Sequence, residues 1–133
     1  MTATERSARR SVDATGCEHA TAIPTASRVG PVLASSVIVP FEVGTREVPD
    51  EIPSQVAAVF RRAGLILAEA DAGWRDVVRM TFFVASASTR DAIDRAWAEQ
   101  FPDPTSRPAR ITQVAVLPRP MELQCEFLAV ITS

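Results

Sequence analysis

Few residues in this sequence have the type and spacing to do chemistry. Arg110 opens an apolar, β-branched stretch, and a guanidinium there is planar, permanently charged and able to grip a carboxylate with two parallel hydrogen bonds. The plainer role for such a residue is a surface ion pair. Gln124 and Glu126 alternate along the last apolar stretch, so a strand carries both on one face. An amide there can orient a water molecule, and a carboxylate can also take its proton. Glu126 is equally suited to pairing with a basic residue.

Other chemistries lack their parts. His19 is the single histidine and has no cysteine or second histidine at ligand spacing, whereas zinc wants three or four protein ligands, so no metal is expected. A serine–histidine–aspartate triad would hang on that same residue, at the edge of a polar leader. Two cysteines, Cys17 and Cys125, make no disulfide framework, and Cys125 reads as a small hydrophobe in an apolar strand.

The chain's 133 residues suit one domain, and 47% apolar with 23% charged residues is an ordinary globular balance. A formal charge of −2 offers no electrostatic footprint for nucleic acid or an anionic membrane. No apolar run approaches the roughly 18 residues needed to span a bilayer, and the N-terminus lacks the apolar core of a secretory signal. A cytoplasmic location is expected.

These residues need a scaffold. Residues 1–17 are polar and aperiodic, which predicts a disordered leader ahead of one domain over 18–133. Two strands are expected between residues 19 and 39, around the turn Arg28-Val29-Gly30-Pro31, the second covering 32–39 and ended by Pro40. After a loop over 41–53, Val56, Val59, Phe60, Ala63, Leu67 and Ala70 recur at helical spacing, with Arg61, Arg62 and Glu69 on the solvent side. Gly64, costly in mid-helix, marks a close approach to the sheet. Residues 77–84 form a strand with apolar residues on both faces. A second helix buries Ile93, Ala96, Trp97 and Phe101, leaves Asp94 solvated, and stops at Pro102 and Pro104. Strands over 109–117 and 121–131 complete an α+β order, ββαβαββ, with two helices on one face. The other face is most economically buried by a closed symmetric oligomer.

The string Arg107-Pro108-Ala109-Arg110, then Val114-Ala115-Val116-Leu117-Pro118, then Glu122-Leu123-Gln124-Cys125-Glu126-Phe127-Leu128-Ala129-Val130 resembles the C-terminal signature of the Rid (YjgF/UK114) family. That signature is Pro-Ala-Arg, a short strand to Leu-Pro, and a strand carrying Glu-x-Glu-x-x-Ala. Glu47-Val48-Pro49 and the stretch from Asp76 to Val84 fall in the family's order, and the resemblance covers roughly residues 20 to 131. It implies a chorismate-mutase-like homotrimer with sites in clefts between subunits. It also implies cofactor-independent hydrolysis of enamines and imines to a 2-keto acid and ammonia.

On that resemblance Arg110 anchors the substrate carboxylate and Arg107 lies at the surface. Gln124 stands where the family has the first glutamate of Glu-x-Glu, so it can orient water but not accept its proton, and Glu126 is retained. Thr112 replaces a frequent cysteine and can still donate to a ligand oxygen. Ile23 stands in place of a tyrosine, and Ser36-Val37-Ile38 in place of Ser-Gly-Gln, so the lining becomes more apolar while keeping Ser36. A bulkier carboxylate-bearing imine, of the kind met in specialised metabolism, fits this better than 2-aminoacrylate. The alternatives are a non-catalytic metabolite-binding trimer that keeps the arginine, and a trimer serving other proteins or a ribonuclease-like activity. The acidic balance argues against the nuclease.

Overall fold

The computed structural model of the protein describes residues 8–132. Six strands form one sheet in the order β1-β2-β3-β6-β4-β5: β1 (Arg9–Val12), β2 (Ala26–Val29), β3 (Val32–Ser35), β4 (Val77–Val84), β5 (Ala109–Val114) and β6 (Leu123–Val130). Every pairing is antiparallel except β4 with β5. A parallel pair needs a long crossover, and helix α2 (Arg90–Gln100) supplies it. Helix α1 (Ile52–Glu69) precedes β4. The expected α+β architecture is present.

Alternation decides what each strand shows. Met80, Phe82 and Val84 of β4 and Leu123, Cys125, Phe127 and Ala129 of β6 are buried. The Phe82 ring meets Phe60 of α1 at 5.9 Å and Trp97 of α2 at 6.2 Å, so both helices cover this one face. Burying side chains of this size contributes about 1.5–3 kcal/mol each. The helical spacing reads correctly: Val56, Val59, Phe60, Ala63, Leu67 and Ala70 are all in the core. On the other face lie Val32, paired with Val130, and Ile111, paired with Thr81. Val32, Val130 and Ile111 are 44%, 37% and 46% exposed, large apolar side chains left open on this face.

The structure corrects five expectations. Residues 9–12 of the supposed leader form edge strand β1, and Ala14 and Cys17 are buried. An edge strand held by backbone pairing on one side needs no apolar period, so composition does not reveal it. The Thr25 hydroxyl fixes it, donating to the Val12 carbonyl at 2.7 Å and accepting from the Ala14 N–H at 3.0 Å. Residues 1–7 of the leader lie outside the described residues. The strand expected over 32–39 stops at Ser35, with only the bridge Ile38–Cys125 beyond it, and the strand expected over 109–117 stops at Val114. Gly64 approaches Trp74 rather than the sheet. Arg62 is not on the solvent side but 3% exposed.

Buried Gln55 ties the chain where β6 begins. Its Nε2 donates to the carbonyls of Pro49 and Pro120, at 2.9 and 3.1 Å, and its Oε1 accepts from the Glu122 N–H at 2.8 Å. Satisfying three backbone groups with one buried amide fixes the approach to Gln124.

Candidate active site

Arg110 sits on edge strand β5, opposite Met80 of β4, and therefore on the helix-covered face. Its guanidinium lies 5.3 Å from the Trp97 ring centre and 5.6 Å from that of Phe82. Those rings are held by neighbours: Trp97 packs on Phe101 at 4.7 Å, and Phe101 on Trp74 at 5.7 Å. The aromatic group that docks α2 on the sheet thus doubles as a platform for the cation. Nε donates to the Thr112 hydroxyl at 3.1 Å, and a terminal nitrogen donates to Asp94 of α2 at 2.6 Å. The arginine side chain is 18% exposed and that of Asp94 55%. The guanidinium points neither into bulk solvent nor fully into the core. It is oriented, and it has donors left over, since the group carries five N–H bonds.

Asp94 is the partner that sequence reasoning missed, having been expected merely solvated. Nothing local marks it, because the pairing joins α2 to β5 across the crossover. Arg107 donates to the Phe101 carbonyl at 2.8 Å, which anchors the turn before β5.

The remaining expected site residues are elsewhere in the chain. Gln124 pairs with Phe83 and Glu126 with Thr81, which places both on the face opposite Arg110. Gln124 donates to the Met121 sulfur at 3.4 Å. Glu126 lines a shallow recess with Arg79 and Thr81 on the open face. The Ser36 hydroxyl donates to the Pro24 carbonyl at 2.7 Å, next to Ile23, which is 50% exposed. One subunit therefore assembles Arg110, Thr112 and Asp94, and holds Ser36 beside the Ile23 segment. It does not bring the arginine to Gln124 or Glu126.

Burial pushes the thiol pKa of both cysteines up, which leaves them as poor nucleophiles. Among the described residues no cluster of three or more His, Cys, Asp or Glu is placed to hold a metal ion, and no helix is long and apolar enough to cross a membrane.

Residues 19–131 match the family model described as endoribonuclease L-PSP. The chain belongs to that family. Solved structures agree along nearly the whole length. A protein from Thermotoga maritima superposes with a TM-score of 0.85 at 26% identity, covering 93% of this chain and 98% of that one. A protein of the conserved Rid family from Yersinia pestis gives 0.85 at 19% identity, covering 92% and 99%. The YjgF gene product of Escherichia coli gives 0.81 at 19% identity, covering 91% and 98%. The Rid membership expected from the Pro-Ala-Arg signature stands. No curated protein sequence matches significantly.

Proposed function

We propose that the protein is a cofactor-independent imine or enamine hydrolase, acting as a homotrimer in which Arg110 of one subunit faces Gln124 and Glu126 of the next. The observation that carries this reading is the state of Arg110: stacked on Trp97 and Phe82, fixed by Thr112 and Asp94, and partly open at a sheet edge. A cation so held is preorganised, so binding a carboxylate costs little further ordering. The opposite-face placement of Gln124 and Glu126 is what a site shared between subunits requires. The exposed Val32, Val130 and Ile111 of the open face give apolar surface for the neighbour to cover.

In this reaction water adds to the C=N carbon while its proton passes to nitrogen, giving a carbinolamine. That intermediate then expels ammonia, leaving the 2-keto acid. Gln124 orients the water, and Glu126 is the carboxylate that can accept a proton. Ile23 and Val37 make an apolar wall that suits a bulkier side chain than that of 2-aminoacrylate. The nuclease activity in the family's name is not carried over, because a net charge of −2 gives phosphate little to hold.

The test is to generate imines from several amino acids with an oxidase and to follow ammonia release, with wild type and Arg110→Ala. Release accelerated by wild type and lost in the variant supports the hydrolase. Protection against melting by keto acids, without acceleration, would instead make the protein a binding trimer. Light scattering reads the mass independently, and a monomer would remove the shared site.

A further inference from the structure

A second cation in the molecule lacks the compensation that Arg110 has. Arg62 on α1 is buried, and its guanidinium donates to the carbonyls of Phe41, Gly16, Glu42 and Thr45, at 2.7, 3.2, 3.3 and 3.5 Å. Carbonyls satisfy its N–H groups but do not neutralise it. Among the described residues the ion pair within 4.0 Å is that of Arg110 with Asp94, so Arg62 has no carboxylate at that range. Its four hydrogen bonds among the described residues all come from Nε and one terminal nitrogen. Buried charges are ordinarily paired. Arg46 deepens the imbalance: its guanidinium lies 5.0 Å from the Phe41 ring centre, and that of Arg62 lies 5.7 Å from the same ring. Burial pulls the Arg62 pKa down first of all, and the Arg46 charge adds to it, against opposing contributions from Cys17 and Glu18.

Both arginines line a cavity of about 190 Å³, bounded also by Phe41, Ile66, Met121 and Gln124. Glu18 lies there too, with one oxygen already accepting from the Gly16 N–H at 2.6 Å. The lining therefore holds two guanidiniums against one carboxylate, over walls that are largely apolar. Its volume slightly exceeds the roughly 150 Å³ of an apolar cavity that admits benzene.

We propose that this cavity is a binding site for a small carboxylate with a compact apolar or aromatic body, its anionic end on Arg46 and Arg62 and its body on Phe41, Ile66 and Met121. The site lies within a single subunit and its anchors are Arg46 and Arg62 rather than Arg110, although Val37 and Gln124 line both it and the proposed hydrolase site. Through those two shared residues an occupant would alter the neighbouring wall.

Benzoate is the probe, with benzamide as its uncharged match, titrated by calorimetry into full-length wild type and three variants. Millimolar or tighter binding of benzoate, at least about tenfold stronger than that of benzamide, is expected, because a charge-assisted pair is about twice a neutral one. Arg46→Gln should weaken benzoate about five- to tenfold, on that same difference. Val37→Trp, filling the cavity from a half-exposed lining position, should abolish binding, and Arg110→Ala should leave it unchanged. Binding lost in Arg110→Ala but kept in the other two would overturn the proposal, and so would no binding or equal binding of benzamide. Imine turnover in the same proteins is a separate readout: it fails with Arg110→Ala if the hydrolase reading is right, whatever benzoate does.

Discussion

Arg110 and Arg62 are both removed from bulk water, yet the fold treats them oppositely. Arg110 has a carboxylate at 2.6 Å, a hydroxyl and two ring faces, and it keeps 18% of its side chain exposed. Arg62 has four carbonyls, one ring and 3% exposure. The first arrangement holds a charge ready for exchange, since an exposed aspartate can be displaced by a ligand carboxylate at little cost. The second ties down backbone, since each carbonyl it satisfies belongs to the loops at residue 16 and residues 41–45. Charge compensation and burial together, rather than residue type, separate an anchor free to exchange its partner from a cation that also clamps backbone.

The difference predicts unequal consequences of removal. Arg62→Leu takes from the Phe41 carbonyl its guanidinium donor, leaves the Gly16 carbonyl with the Gly44 N–H alone, and releases the loop at 41–45, so it should destabilise the fold by about 3 kcal/mol. In a chain of this size that corresponds to a fall in Tm of about 10 °C. Thermal melting reads it, and a loss below about 1 kcal/mol would mean that water replaces the guanidinium, removing the contrast with Arg110.

Arg110→Ala should cost less, about 1–1.5 kcal/mol, from the stacked contacts and a partly exposed ion pair. A double-mutant cycle with Asp94→Ala isolates that pair. Its coupling should lie below about 1 kcal/mol and shrink further near 1 M salt, where screening reaches about 3 Å. A coupling of several kcal/mol that ignores salt would make Arg110 a clamp like Arg62.

Much of this was legible in the sequence, for identifiable reasons. The α1 face repeats at helical spacing over Val56 to Ala70, and the Pro-Ala-Arg string ahead of an apolar strand marked Arg110 and its family. What escaped were cross-element events. Asp94 meets Arg110 only once α2 folds back over β5, and no spacing rule links residues so related. Arg62 sits one step from exposed Arg61 on the helix, and only loop carbonyls arriving from residues 16 and 41–45 explain its burial. Strand β1 is polar because an edge needs backbone partners rather than apolar side chains. The separation of Arg110 from Gln124 was hidden for the opposite reason: alternation within each strand was read correctly, but the phase between β5 and β6 is set through β4, which lies between them.

Asp94→Asn makes the smallest change to the fold and the sharpest test of the comparison. The amide keeps a hydrogen-bond acceptor beside the guanidinium and removes the negative charge, so stability should change by less than about 1 kcal/mol. A ligand carboxylate then no longer competes with a resident one. Affinity for 2-oxobutyrate, a keto acid of the product class, should rise roughly three- to tenfold at low salt, and the gain should shrink as salt screens the half-exposed site. Benzoate in the Arg46–Arg62 cavity should not respond, because Asp94 is no part of that lining. If 2-oxobutyrate bound no better, Asp94 would not be competing for the anchor, and the ligand's negative end would have to be sought away from Arg110. If instead it bound more weakly, the aspartate would be holding the guanidinium in its productive orientation, and the exchange of one carboxylate for another would give way to a fixed pair that the ligand joins.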